Sequence, residues 1–357
     1  MNARWSQNHE APEGARMTQN AQTPAHTRSK LRGPPVSVVI PTYRRHQYLT
    51  EALLSIAEQT YVHFEAIVVN DWPDDREHID RIVEGMDDRR FRVVHHQHNA
   101  GLPAARNSGI GLSRGDIVAF LDDDDLWLPQ KLAQHIAVHA SDVAVGLVYS
   151  GYILRWDDQA WPDLIRYAKA APADIPAAMR RNRFCPATMG LTTIRRECLA
   201  RVEGLDESLS QLQDWDLYYR LAATCRFRAL PEPLMVFRQH AGNRLTTAFD
   251  DRREGLERIL NKWNGELTPD IFMKHYPPLA TLHHIQKLAL AGKRRESLRA
   301  LQLLRRMRMT PDLARREIPK TLILVLLGPR FSGNLLRVYR RLKLLWERHL
   351  VRTGPSC

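Results

Sequence analysis

Cysteine is scarce in this chain of 357 residues, and its four cysteines show no CxxC pair and no metal-ligand spacing. This argues against a cysteine-based metal site. A run of 18 or more apolar residues is also lacking, so we expect no transmembrane helix. The N-terminus is polar and has no apolar signal-peptide core. We therefore expect reduced thiols and a cytoplasmic protein.

Two glycine-rich phosphate-binding motifs are missing as well. No GxGxxG follows the first predicted strand, which makes a dinucleotide-binding Rossmann site an unfavourable interpretation. No GxxxxGKS or GxxxxGKT occurs anywhere, which argues against a P-loop. Any nucleotide site in this chain must therefore be built from other residues.

Acidic residues are few in only one part of the chain. Residues 285–357 carry 18 Lys and Arg against 4 Asp and Glu, whereas the other 284 residues hold 34 basic and 36 acidic side chains. The net charge of +12 therefore belongs to the C-terminal region. This distribution argues against nucleic-acid binding by the whole protein and favours contact between that region and an anionic surface.

The order of predicted elements divides the chain into three parts. Residues 1–35 resemble a disordered leader, residues 36–249 alternate strands with helices, and residues 250–357 read as a basic helical region. Such alternation predicts an α/β domain with a mostly parallel sheet and helices on both faces. In such folds ligands bind beyond the carboxyl ends of the strands.

Four consecutive aspartates, Asp122, Asp123, Asp124 and Asp125, follow the apolar strand predicted at 117–121. Adjacent carboxylates repel one another unless a positive group lies among them. A divalent cation that carries a phosphorylated substrate is the simplest such partner, because Mg²⁺ and Mn²⁺ prefer oxygen ligands. The alternative is a solvated acidic loop that caps the helix beginning near Pro129.

Three segments together resemble a known family. They are VSVVIPTYRR, SIAEQTYVHFEAIVVND and NAGLPAARNSGIGLSRGDIVAFLDDDDLWLPQKL. In order and spacing they resemble the inverting family-2 glycosyltransferases, and the resemblance covers residues 36–243. It implies the GT-A fold, a Rossmann-like domain that binds a nucleotide-diphospho-sugar.

The resemblance also implies roles for residues near the nucleotide. Pro41 and Tyr43 would border and stack on the nucleobase, and Asp71 would hydrogen-bond a uracil or thymine edge. Arg45 and Arg106 would lie beside the nucleotide and the acidic site. For Tyr43 and Asp71 the alternatives are turn packing and helix capping, and for Arg106 a plain surface position.

The aspartate run corresponds to the family's DxD motif. By that resemblance Asp122 approaches the ribose, Asp123 supports the nucleotide-sugar site, and Asp124 coordinates Mg²⁺ or Mn²⁺ through the diphosphate. His240 matches a histidine that approaches the metal or the diphosphate. A surface or packing role is the alternative for this lone histidine.

The family's second acidic motif falls at Gln213-Asp214-Trp215-Asp216, where Gln213 replaces the usual glutamate. The resemblance makes Asp214 the general base that takes the proton of the acceptor hydroxyl. The alternative places Asp214 and Asp216 as ordinary acids in the first turn of a helix, where the helix dipole favours them.

Apolar residues at 335–350 recur at helical spacing beside arginines. This basic amphipathic helix is predicted either to contact an anionic membrane or to pack against protein.

These interpretations combine into one hypothesis. The chain would be a metal-dependent inverting glycosyltransferase that moves a sugar from a UDP- or dTDP-sugar donor to a glycan or lipid-linked acceptor in surface polysaccharide biosynthesis. It would act in the cytoplasm or at the inner face of the plasma membrane. The alternatives are a degenerate protein that binds nucleotide-sugar or glycan without turnover, and a polyprenyl-phosphate glycosyltransferase.

Overall fold

The structure is a computed structural model, and it describes residues 33–157, 163–181, 183–239, 257–264, 266–267, 295 and 298. The predicted leader lies outside the described residues apart from its last three positions. His240 and almost all of the predicted C-terminal helical region also lie outside them.

The first half of the domain is a parallel sheet joined by helices, as the sequence predicts. Its strands are β1 (Val36–Thr42), β2 (Phe64–Asn70), β3 (Phe91–His95) and β4 (Ile117–Phe120), arranged in the order β3-β2-β1-β4. The connecting helices are α1 (His46–Ala57), α2 (Arg76–Glu84) and α3 (Leu102–Leu112). All residues of β1 and β4 are buried, which explains why both sequences are mostly apolar.

The second half continues the same sheet with mixed strand directions. It contains β5 (Leu126–Trp127), β6 (Val145–Trp156), β7 (Leu164–Arg166), β8 (Thr192–Arg195) and β9 (Arg226–Gln239). Strand β8 lies antiparallel between β4 and β6, and β9 runs parallel to β6 and antiparallel to β5. The α/β class is confirmed, and the parallel arrangement holds for the first half of the sheet.

Strand β9 spans 14 residues although its sequence contains two prolines. Pro231 and Pro233 interrupt its apolar pattern and read as strand breakers. In the structure the register between β6 and β9 shifts at this point, between Ser150 and Gly151. Proline is tolerated in a sheet at such a bulge, so the strand continues through it.

Helices cover both faces of the sheet. The remaining helices are α4 (Lys131–Ser141), α5 (Ile175–Arg180), α6 (Arg196–Arg201) and α7 (Gln213–Ala222). An apolar cluster lies on each face of the sheet, and alternate residues of β1 contribute to the two clusters. Val38 and Ile40 belong to one cluster and Val39 to the other. The cluster that contains Val39 also contains Trp215 of α7, so the sheet core supports the helix that carries Asp214.

A buried polar network joins α4 to the sheet. Lys131 is fully buried, and its Nζ donates to the main-chain oxygen of Leu191 at 3.2 Å and lies 3.3 Å from Nε2 of His135. The hydroxyl of Thr193 lies 3.0 Å from ring nitrogens of both His135 and His139. Burial holds the pKa of Lys131 well below its ordinary value, because no water stabilises the ammonium form.

Two glycines of α3 provide a matched test of how α3 packs against β1. A Cβ at Gly109 would lie 2.2 Å from Cγ1 of Val39, whereas a Cβ at Gly111 would meet nothing within 4 Å. We expect Gly109→Ala to lower the free energy of unfolding by about 1–3 kcal/mol through overpacking. Gly111→Ala should raise it by about 0.5–1 kcal/mol, because alanine is the better helix former. Urea unfolding of both variants measures the difference, and equal stabilities would contradict the described contact of α3 with β1.

Candidate active site

Polar side chains meet at the carboxyl ends of three neighbouring parallel strands. Thr42 ends β1, Asp71 follows β2, and residues 122–125 follow β4. Because β2, β1 and β4 are adjacent, these groups lie along one edge of the sheet. The location predicted from the sequence for a ligand site is therefore the one at which the acidic residues converge.

Arginines from three different elements contact the four aspartates. Arg106 of α3 donates to Asp122 at 2.6 Å, and Arg45 donates to Asp124 at 2.8 Å and to Asp123 at 3.3 Å. Asp125 is fully buried and accepts from the main-chain NH of Arg238 at 3.0 Å. The Nε of Arg238 also donates to the main-chain oxygen of Asp124 at 2.9 Å. The loop therefore holds its repelling carboxylates by charge pairing and by main-chain hydrogen bonds.

Asp123 is one of the two carboxylates that Arg45 contacts, and it is buried. It accepts from the hydroxyl of Thr42 at 2.8 Å and from the main-chain NH of Tyr43 at 3.4 Å. Burial raises the pKa of Asp123 to about 7, although the charge of Arg45 and the hydrogen bond from Thr42 act in the opposite direction. Asp123 therefore supports the loop from within, and Thr42 is a partner that the sequence reasoning did not single out.

An aromatic and cationic cluster lies beside the end of β1. The rings of Tyr43 and Trp72 meet edge to face with centroids 5.4 Å apart, and the guanidinium of Arg44 lies 4.1 Å from the Trp72 centroid. Arg44 adopts a left-handed conformation with φ of 56°. Tyr43 is 38% exposed, so part of its ring is accessible for stacking. Trp72 is therefore a second aromatic ring at this position.

Asn70 shapes the loop that carries Trp72. Its side chain accepts from the main-chain NH of Trp72 at 3.1 Å and donates to the main-chain oxygen of Trp72 at 2.9 Å. These two bonds close a tight turn. Asn70 thereby places the indole next to Tyr43.

Asp71 is buried and organises the loop that leads into α3. It accepts from the main-chain NH groups of Ala100 and Gly101, each at 2.8 Å, and lies 2.8 Å from Nδ1 of His96. Gly101 has φ of 90°, a conformation that glycine adopts without strain. These contacts match the capping alternative for Asp71, and its contact with a nucleobase stays a prediction.

Asp214 is the second residue of α7 and lies near the acidic loop. Burial raises the pKa of Asp214, the charge of Arg106 opposes this effect, and the charge of Asp122 adds to it. Arg106 is itself buried and ion-paired with Asp122. Asp122, Arg106 and Asp214 therefore form one electrostatic cluster, and the role of Asp214 as general base stays a prediction.

Asp216 and Pro41 are both buried, and their contacts are with other parts of the protein. Asp216 is fully buried, pairs with Arg220 at 2.8 Å and Lys262 at 3.0 Å, and accepts from the indole NH of Trp263 at 2.9 Å. It therefore ties α7 to the segment 257–264. Pro41 is buried within β1, opposite Val69 of β2, so its contact with a nucleobase stays a prediction.

A metal ion would find oxygen ligands in the acidic loop but no complete protein cage. The described part of the chain holds no cluster of three or more His, Cys, Asp or Glu side chains that could coordinate an ion. Mg²⁺ often uses one or two carboxylates together with substrate phosphates, so Asp124 and its neighbours fit that kind of site. A metal there would compete with Arg45 for Asp124.

Comparison with known proteins identifies the domain in the first half of the chain. The sequence model described as Glycosyl transferase family 2 matches residues 37–189. The chain carries a family-2 glycosyltransferase domain. This domain contains the arginine-paired acidic loop, and Asp214 lies beyond the matched residues.

Relatives of this glycosyltransferase domain occur in several bacteria. The chain is 27% identical over 189 residues to WcaA of Escherichia coli, named for colanic acid biosynthesis, covering 53% of this chain and 66% of WcaA. It is 29% identical over 214 residues to a glycosyltransferase of Nostoc, covering 58% of this chain and 66% of that protein. The matches therefore span slightly less than two thirds of these relatives.

Solved glycosyltransferases share the fold. Residues 1–349 of TarS from S. aureus, in complex with UDP-GlcNAc, superpose with a TM-score of 0.50 at 19% identity, covering 82% of this chain and 79% of that one. The mannosyltransferase PcManGT from Pyrobaculum calidifontis, in complex with GDP-Man and Mn²⁺, gives 0.51 at 20% identity, covering 87% and 88%. These likenesses confirm the GT-A type of α/β fold.

The desolvation of Asp123 predicts a specific dependence of stability on pH. Its pKa is about 7 in the folded protein and near 3.8 when unfolded. The folded form therefore holds the proton more tightly, and the wild type loses stability as the pH rises from about 4 to about 7. Asp123→Asn removes this loss, so the stability of the variant relative to the wild type should increase by on the order of 3 kcal/mol over that range.

Urea unfolding at several pH values, in EDTA and without nucleotide, measures this difference. Asp116→Asn is the matched control, because Asp116 is exposed. A difference between wild type and Asp123→Asn that does not change with pH would show that Asp123 is ionised in the folded protein.

Proposed function

We propose that this protein is a metal-dependent inverting glycosyltransferase. It transfers a sugar from a nucleotide-diphosphate donor to a hydroxyl of a glycan or lipid-linked acceptor. The observation that carries this proposal is the cluster formed by Asp122, Arg106 and Asp214, because it joins the acidic loop to a carboxylate suited to base catalysis. The family-2 domain and its relatives support the reaction class.

The donor would bind across the edge formed by β1, β2 and the acidic loop. Tyr43 and Trp72 offer aromatic faces for a nucleobase. Asp122 would then contact the ribose. Arg45 and Arg106 offer guanidinium groups for phosphate oxygens. We favour a UDP- or dTDP-sugar. The neighbouring structures hold UDP-GlcNAc in one case and GDP-Man in the other, so the fold accepts different bases.

Mg²⁺ or Mn²⁺ would be held by Asp124, with His240 as a further ligand from outside the described residues. When bound, the ion neutralises charge on the departing nucleoside diphosphate. The Mn²⁺-bound neighbour supports this assignment. Arg45 must move from Asp124 or share that carboxylate when the ion enters.

Asp214 would act as the general base. Its carboxylate takes the proton of the acceptor hydroxyl while that oxygen forms a bond to the anomeric carbon. The bond from the anomeric carbon to the diphosphate oxygen breaks on the opposite face, and its electron pair leaves with the nucleoside diphosphate. One such displacement inverts the anomeric configuration. Burial raises the pKa of Asp214, which makes its ionised form a stronger base than an exposed aspartate.

Two observations support the proposed acceptor: the name of one relative and the basic charge of residues 285–357. The name of WcaA assigns that relative to colanic acid biosynthesis, which favours a bacterial surface polysaccharide as the product here. No helix within the described ranges has the length and apolar character needed to cross a bilayer. We propose that the basic region 285–357 holds the enzyme at an anionic membrane surface, where lipid-linked acceptors occur.

The donor site is tested by calorimetric titration of the full chain with UDP, dTDP, GDP and CDP, each with Mn²⁺ and with EDTA. We expect one nucleotide to bind tightly only with Mn²⁺. Asp124→Asn should weaken that binding by roughly tenfold or more, because an amide is a poorer ligand than a carboxylate. Asp116→Asn is the control and should bind as the wild type does. Unchanged Mn²⁺-dependent affinity in Asp124→Asn would remove Asp124 from the metal site.

The role of Asp214 is tested by turnover of the sugar nucleotide that the titration identifies. Asp214→Asn should lower kcat by roughly 10²–10⁴-fold and leave nucleotide affinity nearly unchanged. Arg106→Gln should shift the acidic limb of the kcat profile to higher pH, because Arg106 lowers the pKa of Asp214. Arg114→Gln, at an exposed position, is the control.

Near-normal turnover by Asp214→Asn would rule out the proposed base. A wild type that binds nucleotide but turns over no donor would instead favour the degenerate binding protein, in which the replacement at Gln213 has removed activity.

A further inference from the structure

A cavity of about 430 Å³ lies along the segment 169–184, apart from the acidic loop. This volume is within the range of small-molecule sites. Three basic side chains line it, those of Lys169, Arg181 and Arg183, together with the single acid Asp174. The ring of Phe184 and several small apolar residues form the rest of its wall. Nothing in the family match assigns a ligand to this cavity.

The described residues around this cavity supply little charge to balance its basic side chains. Among the residues that the structure describes, none forms an ion pair with Lys169, Arg181 or Arg183. Asp174 is already engaged, because it caps α5 by accepting from the main-chain NH of Ala177 at 2.8 Å. Three cations against one capping carboxylate leave the cavity with an excess of positive charge.

The backbone that carries these side chains is fixed by the sheet and by α5. The hydroxyl of Tyr149 in β6 donates to the main-chain oxygen of Lys169 at 2.5 Å. The main-chain NH of Arg183 donates to the oxygen of Ala178 at 2.8 Å. Phe184 packs edge to face on Tyr149 with centroids 5.7 Å apart. The cavity therefore has a firm apolar wall beneath a rim of long cationic side chains.

The same segment contacts α7, the helix that carries the proposed general base. Arg180, in α5, donates to the hydroxyl of Tyr219 in α7 at 2.9 Å. Cys185 follows Phe184 directly, and both burial and the charge of Asp214 raise the pKa of the Cys185 thiol. The cavity therefore lies in a segment that packs against the helix of Asp214.

We propose that this cavity is an acceptor subsite that binds an anionic group, a phosphate or a carboxylate, through Lys169, Arg181 and Arg183. The inference rests on the proposed function, because it assigns the cavity to the substrate whose hydroxyl Asp214 deprotonates. Guanidinium and ammonium groups hold such oxyanions by charge-assisted hydrogen bonds, and the apolar wall packs against the body of the acceptor. The acceptor class is therefore an anionic glycan or a phosphate-linked lipid rather than a neutral sugar.

The test is a calorimetric titration of the full chain with n-octyl phosphate, in the presence of the nucleotide and Mn²⁺ that bind best. The double variant Lys169→Gln/Arg181→Gln should bind octyl phosphate at least about tenfold more weakly than the wild type, because two charge-assisted contacts are lost. Both side chains are exposed, so the fold should tolerate the change. Arg228→Gln, at an exposed position in β9 outside the cavity, is the matched control and should bind as the wild type does.

Three further probes identify the source of the anion. Tighter binding of octyl phosphate than of inorganic phosphate indicates a lipid-linked phosphate, and tighter binding of glucuronate than of either indicates an acidic sugar. Equal affinity for octyl phosphate and for neutral octyl glucoside would overturn the proposal, because the apolar wall alone would then explain binding.

Nucleotide titration of the same proteins separates the two proposals. Equal octyl phosphate affinity in the double variant and the wild type, with nucleotide binding intact, would overturn the anionic subsite and leave the proposed glycosyltransferase function standing. A wild type that binds octyl phosphate through Lys169 and Arg181 but binds none of the nucleotides would support an anion site and contradict the proposed function.

Discussion

The rest of this site depends on how its four consecutive carboxylates are held: Arg45 and Arg106 form ion pairs with three of them, and the main-chain NH of Arg238 donates to the fourth. Asp122–Asp125 would repel one another at the end of a buried strand, and no single neighbour could hold them all. Arg45 comes from the turn after β1, Arg106 from α3 and Arg238 from β9. Arg238 also pairs with Glu51 of α1. One electrostatic requirement therefore fixes the relative positions of elements that are distant in the sequence.

The same charges set the chemical state of the groups around them. Arg106 lies close enough to Asp214 to oppose the rise in its pKa that burial causes, and it is ion-paired with Asp122. A phosphorylated donor that enters this edge therefore does not meet bare carboxylates. It exchanges ion pairs with arginines that are already in place, and such an exchange costs less than the desolvation of unpaired charges.

Periodicity and short motifs predicted the first half of the fold well, because each parallel strand there is a compact apolar run followed by a helical pattern. The antiparallel β8 escaped prediction since it is four residues long and begins with two threonines. The prolines of β9 concealed a strand that continues through a bulge. In the site, the motifs drew attention to Asp122, Arg106 and Asp214, whose functional roles stay predictions. They could not reveal the contact of Trp72 with Tyr43 and Arg44, because it depends on a turn that Asn70 closes in three dimensions.

The placement of Arg45 between Asp123 and Asp124 affects whether the protein can fold in the cell without a metal ion. A site that relied on a metal ion to relieve carboxylate repulsion would leave newly synthesised chains unstable whenever that metal was scarce. Here an internal cation already provides the relief, so the chain can reach its native state without the ion. Under the proposed metal-dependent function, metal shortage would then produce a folded, inactive reserve that regains activity on resupply, instead of a population that unfolds and is degraded.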